Sequence, residues 1–305
     1  MKVIILGNNK FGESVLQKFH EEKLHNVVAV ICNQDILGKP IDPIKKYAKK
    51  HKIPLFQPHN YRDNKLLDQI KSFKPDICVM AYVTSFIPRE FRNIPKKGTI
   101  CFHPSLLPLH RGPSAINWPI VNGSKETGLT IFYPNDALDE GDIILQKKVS
   151  ISPDDTLGDV YFSKIFPLGV EACVEAVDLI NSGKAQSFKQ DETKATYESW
   201  FKKSDSKINW SKSGKEIYNL IRGCNPQPGA WTNHKQSEYI FYDTYFETNE
   251  NSKYLPGHII LINKNEIVIS VNGGNLKVLR MRSKQGKLYV NKMNTNIFKI
   301  GDKFT

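Results

Sequence analysis

The sequence is poor in cysteine and has no long apolar run, no internal repeat and no low-complexity tract. Its five cysteines (Cys32, Cys78, Cys101, Cys173, Cys224) are scattered without metal-ligand spacing, which argues against a zinc-type centre and a disulfide framework. An odd count in apolar surroundings predicts reduced thiols and a cytoplasmic protein. No apolar run approaches the roughly 20 residues that cross a bilayer, so no membrane partner is expected. Val3-Ile4-Ile5-Leu6 ends at Gly7, too short for the apolar segment of a signal peptide. The Gly-x-Ser-x-Gly nucleophile elbow is missing. Gly7-Asn-Asn-Lys-Phe-Gly12 lacks both the complete dinucleotide fingerprint and a P-loop Lys-Ser/Thr. Its glycines are read as a tight strand-to-helix turn.

Acidic residues are outnumbered, 31 against 43 Lys and Arg, giving a formal charge of +12. Two readings follow: an anionic partner such as tRNA or a phosphate, or a lysine-rich bias spread over solvated faces. The excess is mostly Lys and no basic stripe interleaved with aromatics stands out, which favours the second. The chain of 305 residues is long enough for two modest domains.

Strand and helix patterns alternate through the first half. Lys2–Leu6, Asn26–Cys32, Asp76–Ala81 and Thr99–Phe102 read as strands, and Phe11–Glu22 and Asp63–Phe73 as helices. Another helix opens at Asp42-Pro43, where proline suits the first turn. This predicts an α/β fold with a mostly parallel, Rossmann-like sheet, whose sites lie at the carboxyl ends of strands. Glu126–Tyr133 and Ile143–Ile151 form a strand pair. Thr156–Ser182 is a long helical stretch that Pro167 kinks or splits. Residues 190–206 read as a linker between a domain at 1–189 and a small β-barrel domain at 207–305. Within the latter, Glu266–Val271 and Asn275–Met281 flank an Asn-Gly-Gly hairpin turn.

The chemistry concentrates in Thr99–Gly112 and Asp136–Asp142. A β-rich run delivers His103 to its end, where Pro104 stops it, and a glycine-containing turn carries Asp139. Taken singly, His103 reads as a structural histidine, Asp139 as a turn cap, and His110 and Arg111 as surface residues. An imidazole and a carboxylate brought together from two loops suit acyl-type proton chemistry.

His103-Pro-Ser-Leu-Leu-Pro108, His110-Arg-Gly112, Ser114-Ala-Ile-Asn-Trp118 and Leu138-Asp-Glu-Gly-Asp142 together resemble the formyltransferase family that uses 10-formyltetrahydrofolate. The resemblance continues through Gln190–Tyr197, Ile208-Asn-Trp210 and Ile221–Trp231, and fades beyond. Within the family, two branches fit: the hydrolase domain of 10-formyltetrahydrofolate dehydrogenase, which is the closer, and methionyl-tRNA formyltransferase. The resemblance implies a formyltransferase fold with a C-terminal OB-like domain. It implies 10-formyltetrahydrofolate as formyl donor, no metal, and His103 and Asp139 as the catalytic pair. It puts the folate near Tyr82, Phe86, Ile87, Ser105, Pro108, Asp136 and Ala137; for Phe86 and Ile87, core packing is the competing account. The transferases carry Asn two residues before the histidine, and here Cys101 stands in its place. Because hydrolase-type relatives also lack that Asn, the expected reaction is hydrolysis to tetrahydrofolate and formate. Transfer to an amine, on methionyl-tRNA, an amino sugar or another small metabolite, is the alternative. A non-catalytic folate- or RNA-binding homologue is a third. The loop Asn33–Pro40 is short, with one lysine, where tRNA-acting members carry an arginine-rich insertion. Lys45, Lys46, Lys49, Lys50 and Lys52 beyond it read as a solvated helix face.

Overall fold

The computed structural model describes residues 1–249, 253–284 and 286–305. The chain divides into two compact units, and neither is one continuous stretch: 1–115, 128–149 and 164–198 make the first, and 116–127, 150–163 and 199–305 the second. The division differs from the expected one at the supposed linker. Residues 190–198 belong to the first unit, because their backbone is hydrogen-bonded to it: the Arg111 N–H donates to Thr196 O at 2.9 Å, and the Glu198 N–H to Arg111 O at 3.0 Å.

The first unit is built on a seven-stranded sheet. In chain order its elements are β1 (Lys2–Gly7), α1 (Asn9–Glu22), β2 (Asn26–Ile31), α2 (Pro43–Lys50), β3 (Leu55–Phe56), α3 (Asn64–Ser72), β4 (Ile77–Ala81), α4 (Arg89–Arg92) and β5 (Thr99–His103). The short helix α5 (Asn117–Val121), part of the second unit, precedes β6 (Glu126–Phe132) and β7 (Ile143–Ser150). The strand order is β3-β2-β1-β4-β5-β6-β7. Pairings from β3 through β5 are parallel, and β6 joins β5 antiparallel. β1 and β4 are buried along nearly their whole length, as their continuous apolar runs require.

Helix α1 turns Phe11, Val15, Leu16 and Phe19 inward at helical spacing. Helices α2 and α3 start where Asp42 and Asp63 accept the N–H groups of Ile44 and Lys65. The expected effect of Pro167 takes a definite form: a π-helical segment, Asp159–Ile165, leads into α6 (Phe166–Asn181), with the proline in its first turn. One expectation for α2 fails. Lys45 is buried, not solvated, because its ammonium meets Asp35 and donates to Gln57 Oε1 at 2.7 Å.

Among its described residues the second unit contains α7 (Gly214–Gly223), opened by a Ser213–Glu216 capping box, and eight strands from β8 (Ala230–His234) to β15 (Gly286–Tyr289). The strands between are β9 (Ser237–Phe241), β10 (Thr244–Thr248), β11 (Ile259–Ile262), β12 (Ile267–Val271), β13 (Gly274–Val278) and β14 (Arg280–Ser283). The predicted hairpin is β12–β13. The strands lie in two antiparallel sheets, β10-β13-β12-β11 and β15-β14-β9-β8. The chain changes sheet at Tyr242–Asp243 and again at Leu279, and the Leu279 N–H donates to Asp243 O at 2.8 Å where the two corners meet. The core between includes Trp210, Ile217, Ile221, Phe241, Ile269 and Phe304.

The β1–α1 turn confirms the role of its glycines. A Cβ on Gly7 would lie 2.6 Å from the Ala81 carbonyl oxygen and 3.2 Å from Gly12 Cα, both backbone atoms. Gly7→Ala is expected to cost about 1–3 kcal/mol of stability, read from urea denaturation, because the sheet must shift to admit a methyl group.

Candidate functional site

The strand order reverses between β1 and β4, and crevices in open α/β sheets form at the carboxyl ends of strands at such a point. Asn8, just beyond β1, is buried there. Its amide accepts the Asn33 N–H at 2.8 Å and donates to Tyr82 O at 3.1 Å, tying together the loops that follow β1, β2 and β4.

His103 closes β5 on the same edge, and the turn after β6 brings Asp139 to it, with Nδ1 and Oδ2 3.6 Å apart. The histidine is buried. Its Nε2 lies 2.8 Å from the carbonyl oxygen of His110. A carbonyl only accepts, so Nε2 carries a hydrogen and donates it. In the neutral ring Nδ1 is then a bare acceptor facing a carboxylate oxygen. That oxygen is itself held by the Gly112 N–H at 2.9 Å. A proton arriving on Nδ1 turns two facing acceptors into a charge-assisted pair. The arrangement can therefore take up a proton and return it.

Both loops are held in left-handed backbone. His110 has φ 58°, Asp139 φ 57° and Gly112 φ 105°. At Gly112 no side chain fits, since a Cβ would stand 2.2 Å from Glu198 O. His110 Nδ1 pairs with Glu198 Oε1 at 2.7 Å. Arg111, expected at the surface, is fully buried, and so is most of the His110 side chain. The Arg111 guanidinium donates to Gln190 Oε1 from Nε (3.1 Å) and Nη2 (2.7 Å) and to both Glu192 oxygens (2.7 and 2.8 Å), and it meets the Tyr197 hydroxyl.

Cys101 lies two residues before His103 on β5, partly buried, with its Sγ 3.6 Å from Phe102 O. Burial first, and the Asp139 carboxylate second, push its thiol well above the usual range. It is a neutral thiol at neutral pH, and a weak donor compared with a carboxamide.

The expected folate-contacting positions fall into two groups. Tyr82 and Phe86 are exposed, as is Ala137, whose N–H donates to Asn135 Oδ1. Asp136 is exposed at the same turn, and Pro108 is partly exposed. The side chains of Ile87 and Ser105 are not offered to a ligand. Ile87 packs in the core against Phe91, the outcome that core packing foresees, and the Ser105 hydroxyl donates to Leu109 O at 2.6 Å. Arg92 was not anticipated. It is buried, donates from Nε to Ile87 O at 2.8 Å, and meets Pro134 O and Asp136, so one side chain fastens the Tyr82–Ile87 loop to the Asp136–Asp139 turn. Gln190 was also passed over, because a polar stretch read as linker hid it. The available signal was that both Arg111 and Gln190–Tyr197 lie in segments carrying the family resemblance. Among the described residues no cluster of three metal-ligating side chains stands together, and no helix is long and apolar enough to cross a membrane.

Comparison with known proteins places these residues in context. A formyl transferase family model matches residues 1–177, and a model of the formyl transferase C-terminal domain matches 201–296. The chain is 36% identical over 301 residues to cytosolic 10-formyltetrahydrofolate dehydrogenase of Xenopus laevis, covering 94% of this chain but only 33% of that protein. It is 33% identical over 311 residues to methionyl-tRNA formyltransferase of Fusobacterium nucleatum, covering 99% of each. Among solved structures, HypX from Aquifex aeolicus in complex with tetrahydrofolic acid superposes with a TM-score of 0.68 at 18% identity, over all of this chain and 50% of that one. WlaRD, a sugar 3N-formyl transferase, gives 0.67 at 20% identity, over 96% and 99%. At these identities the structures speak to the fold.

The Arg92 clamp gives a contrast in stability. Arg92→Met leaves two backbone carbonyls without their donor and is expected to cost about 1–3 kcal/mol. Asp136→Asn removes a carboxylate whose side chain is 66% exposed, and the change should stay below about 1 kcal/mol. Urea midpoints of the two variants check the order.

Proposed function

Because the chain belongs to the formyl transferase family, we propose that it acts on the formyl group of 10-formyltetrahydrofolate and hydrolyses it to tetrahydrofolate and formate. The observation that carries this reading is the Cys101 thiol beside a His103–Asp139 pair whose Nδ1 is free to take a proton. Water attacks the formyl carbon while His103 Nδ1 accepts its proton. Asp139 stabilises the imidazolium, and its own carboxylate stays anchored on the Gly112 N–H. The carbon–nitrogen bond to the folate then breaks, and the same imidazole returns the proton to the departing nitrogen. The exposed Tyr82–Phe86 loop and Asp136–Ala137 turn, fastened by Arg92, flank the pteridine. A carboxamide that would support an amine transfer is replaced by a thiol, and losing one such donor costs about 2.7–4 kcal/mol in acyl-transfer enzymes. The site is cytoplasmic in this reading, with reduced cysteines.

One observation favours transfer to methionyl-tRNA. Contrary to the sequence reading, the fold assembles a basic face interleaved with aromatics. Arg282 stands directly opposite Lys287 across β14–β15, Lys287 Nζ lies 3.4 Å from the Tyr242 ring centre, and Arg280, ion-paired with Asp243 at 2.9 Å, lies 5.2 Å from the ring centre of Tyr289. Like charges placed opposite one another destabilise a strand pair, and a polyanion would relieve them.

Formate release from 10-formyltetrahydrofolate with no acceptor present decides between them. Hydrolysis is expected, with His103→Asn and Asp139→Asn each lowering kcat about 10²–10⁴-fold. Strict dependence on methionyl-tRNA or an amino sugar would establish the transferase. Folate binding without turnover, unaltered by His103→Ala, would mark a non-catalytic homologue. Cys101→Asn should shift the balance toward amine transfer, measured as formyl-acceptor yield against formate.

A further inference from the structure

We infer that Gln190 is a positioning residue for Asp139, with Arg111 fixing the orientation of its amide. The inference rests on the reading of His103 and Asp139 as the proton-transfer pair.

The Gln190 carboxamide is buried and makes four hydrogen bonds. Its Nε2 donates to Asp139 O at 2.7 Å and to Gly141 O at 2.8 Å. Its Oε1 accepts from Arg111 Nε at 3.1 Å and Nη2 at 2.7 Å. Arginine only donates and a carbonyl only accepts, so the amide cannot flip without losing all four. Asp139 occupies left-handed backbone at φ 57°, a conformation that L residues adopt rarely and that persists where neighbours hold it. Gln190 grips the carbonyl of that residue, and the Gly112 N–H grips its carboxylate. Gly112 is the next residue after Arg111. A closed circuit results: from the Arg111 side chain through Gln190 to the Asp139 carbonyl, along Asp139 to its carboxylate, and through Gly112 back to Arg111. The spacing between Asp139 Oδ2 and His103 Nδ1 is set by this circuit and not by any bond between the two groups, which stand 3.6 Å apart.

Gln190→Met keeps the bulk and removes both donors. Gln190→Glu removes the donors and retains an acceptor for Arg111, and it serves if the first variant does not fold. Two readouts are needed. The first is the Gly112 amide in the ligand-free protein, followed by NMR hydrogen exchange and chemical shift. Loss of its protection is expected once the Asp139 carboxylate moves. The second is steady-state formate release, where kcat should fall about ten- to a hundredfold with KM for the folate nearly unchanged, the scale of a reacting group misplaced by about 1 Å. Thr232→Val, which removes the buried hydroxyl accepting the Trp210 indole N–H at 3.0 Å, is the control for general destabilisation and should move neither. An unmoved Gly112 amide, or an unchanged kcat, in the glutamine variants overturns the inference. A wild-type protein inert toward formylated folates, with the Gly112 amide responding as expected, would sink the functional reading and leave the positioning role standing.

Discussion

Arg111 has no water to turn to. Its side chain is fully buried, and all five of its N–H donors are directed at Gln190, Glu192 and Tyr197. A buried cation left short of partners is costly, so this guanidinium dictates where residues 190–197 must lie. Once they lie there, Gln190 reaches the Asp139 turn and Glu198 reaches His110. The His110 carbonyl then selects the tautomer of His103. The geometry of the candidate dyad descends from the hydrogen-bonding demands of one residue whose own donors are spent on Gln190, Glu192 and Tyr197.

This order of causes separates building the proton-transfer pair from choosing what it acts upon. In the proposed mechanism the imidazole and the carboxylate serve water and amine alike. Neither their spacing nor their partners distinguishes the two, because a proton on Nδ1 is the common consequence of either attack. In the proposed reading, selection falls to the position two residues before His103, where Cys101 carries a neutral thiol, and to the surfaces that admit or exclude an acceptor. If the acceptor is a polyanion, the basic residues of β14–β15 belong to the second kind of determinant.

The two compact units interleave in sequence, and each meets its packing requirements in its own way. In the first, parallel strands bury continuous apolar runs beneath helices, and polar loops are left at the strand ends. Asn8 and Arg92 bridge those loops with hydrogen bonds that no pattern of hydrophobicity announces. In the second, short alternating strands change sheet at two corners, and the core closes around Trp210 and Phe304.

Periodicity and punctuation in the sequence determined the parallel sheet, the helix starts at Asp42 and Asp63, the break around Pro167 and the β12–β13 hairpin. Each depends on residues close together in the chain, so local preference and tertiary packing agree. His103 and Asp139 were legible as candidates from their two segments and as a catalytic pair through the family resemblance, and their 3.6 Å approach belongs to the tertiary structure. The tertiary structure alone decided that Arg111 and Lys45 are buried, that the polar stretch after Lys189 is a strap and not a linker, and that Ser105 and Ile87 turn inward. The burial of Arg111 and the docking of the strap rest on hydrogen bonds between residues about eighty positions apart, and Lys45, Ser105 and Ile87 on partners that only the folded loops bring within reach. A charged or polar side chain looks the same in sequence whether water or a distant partner satisfies it.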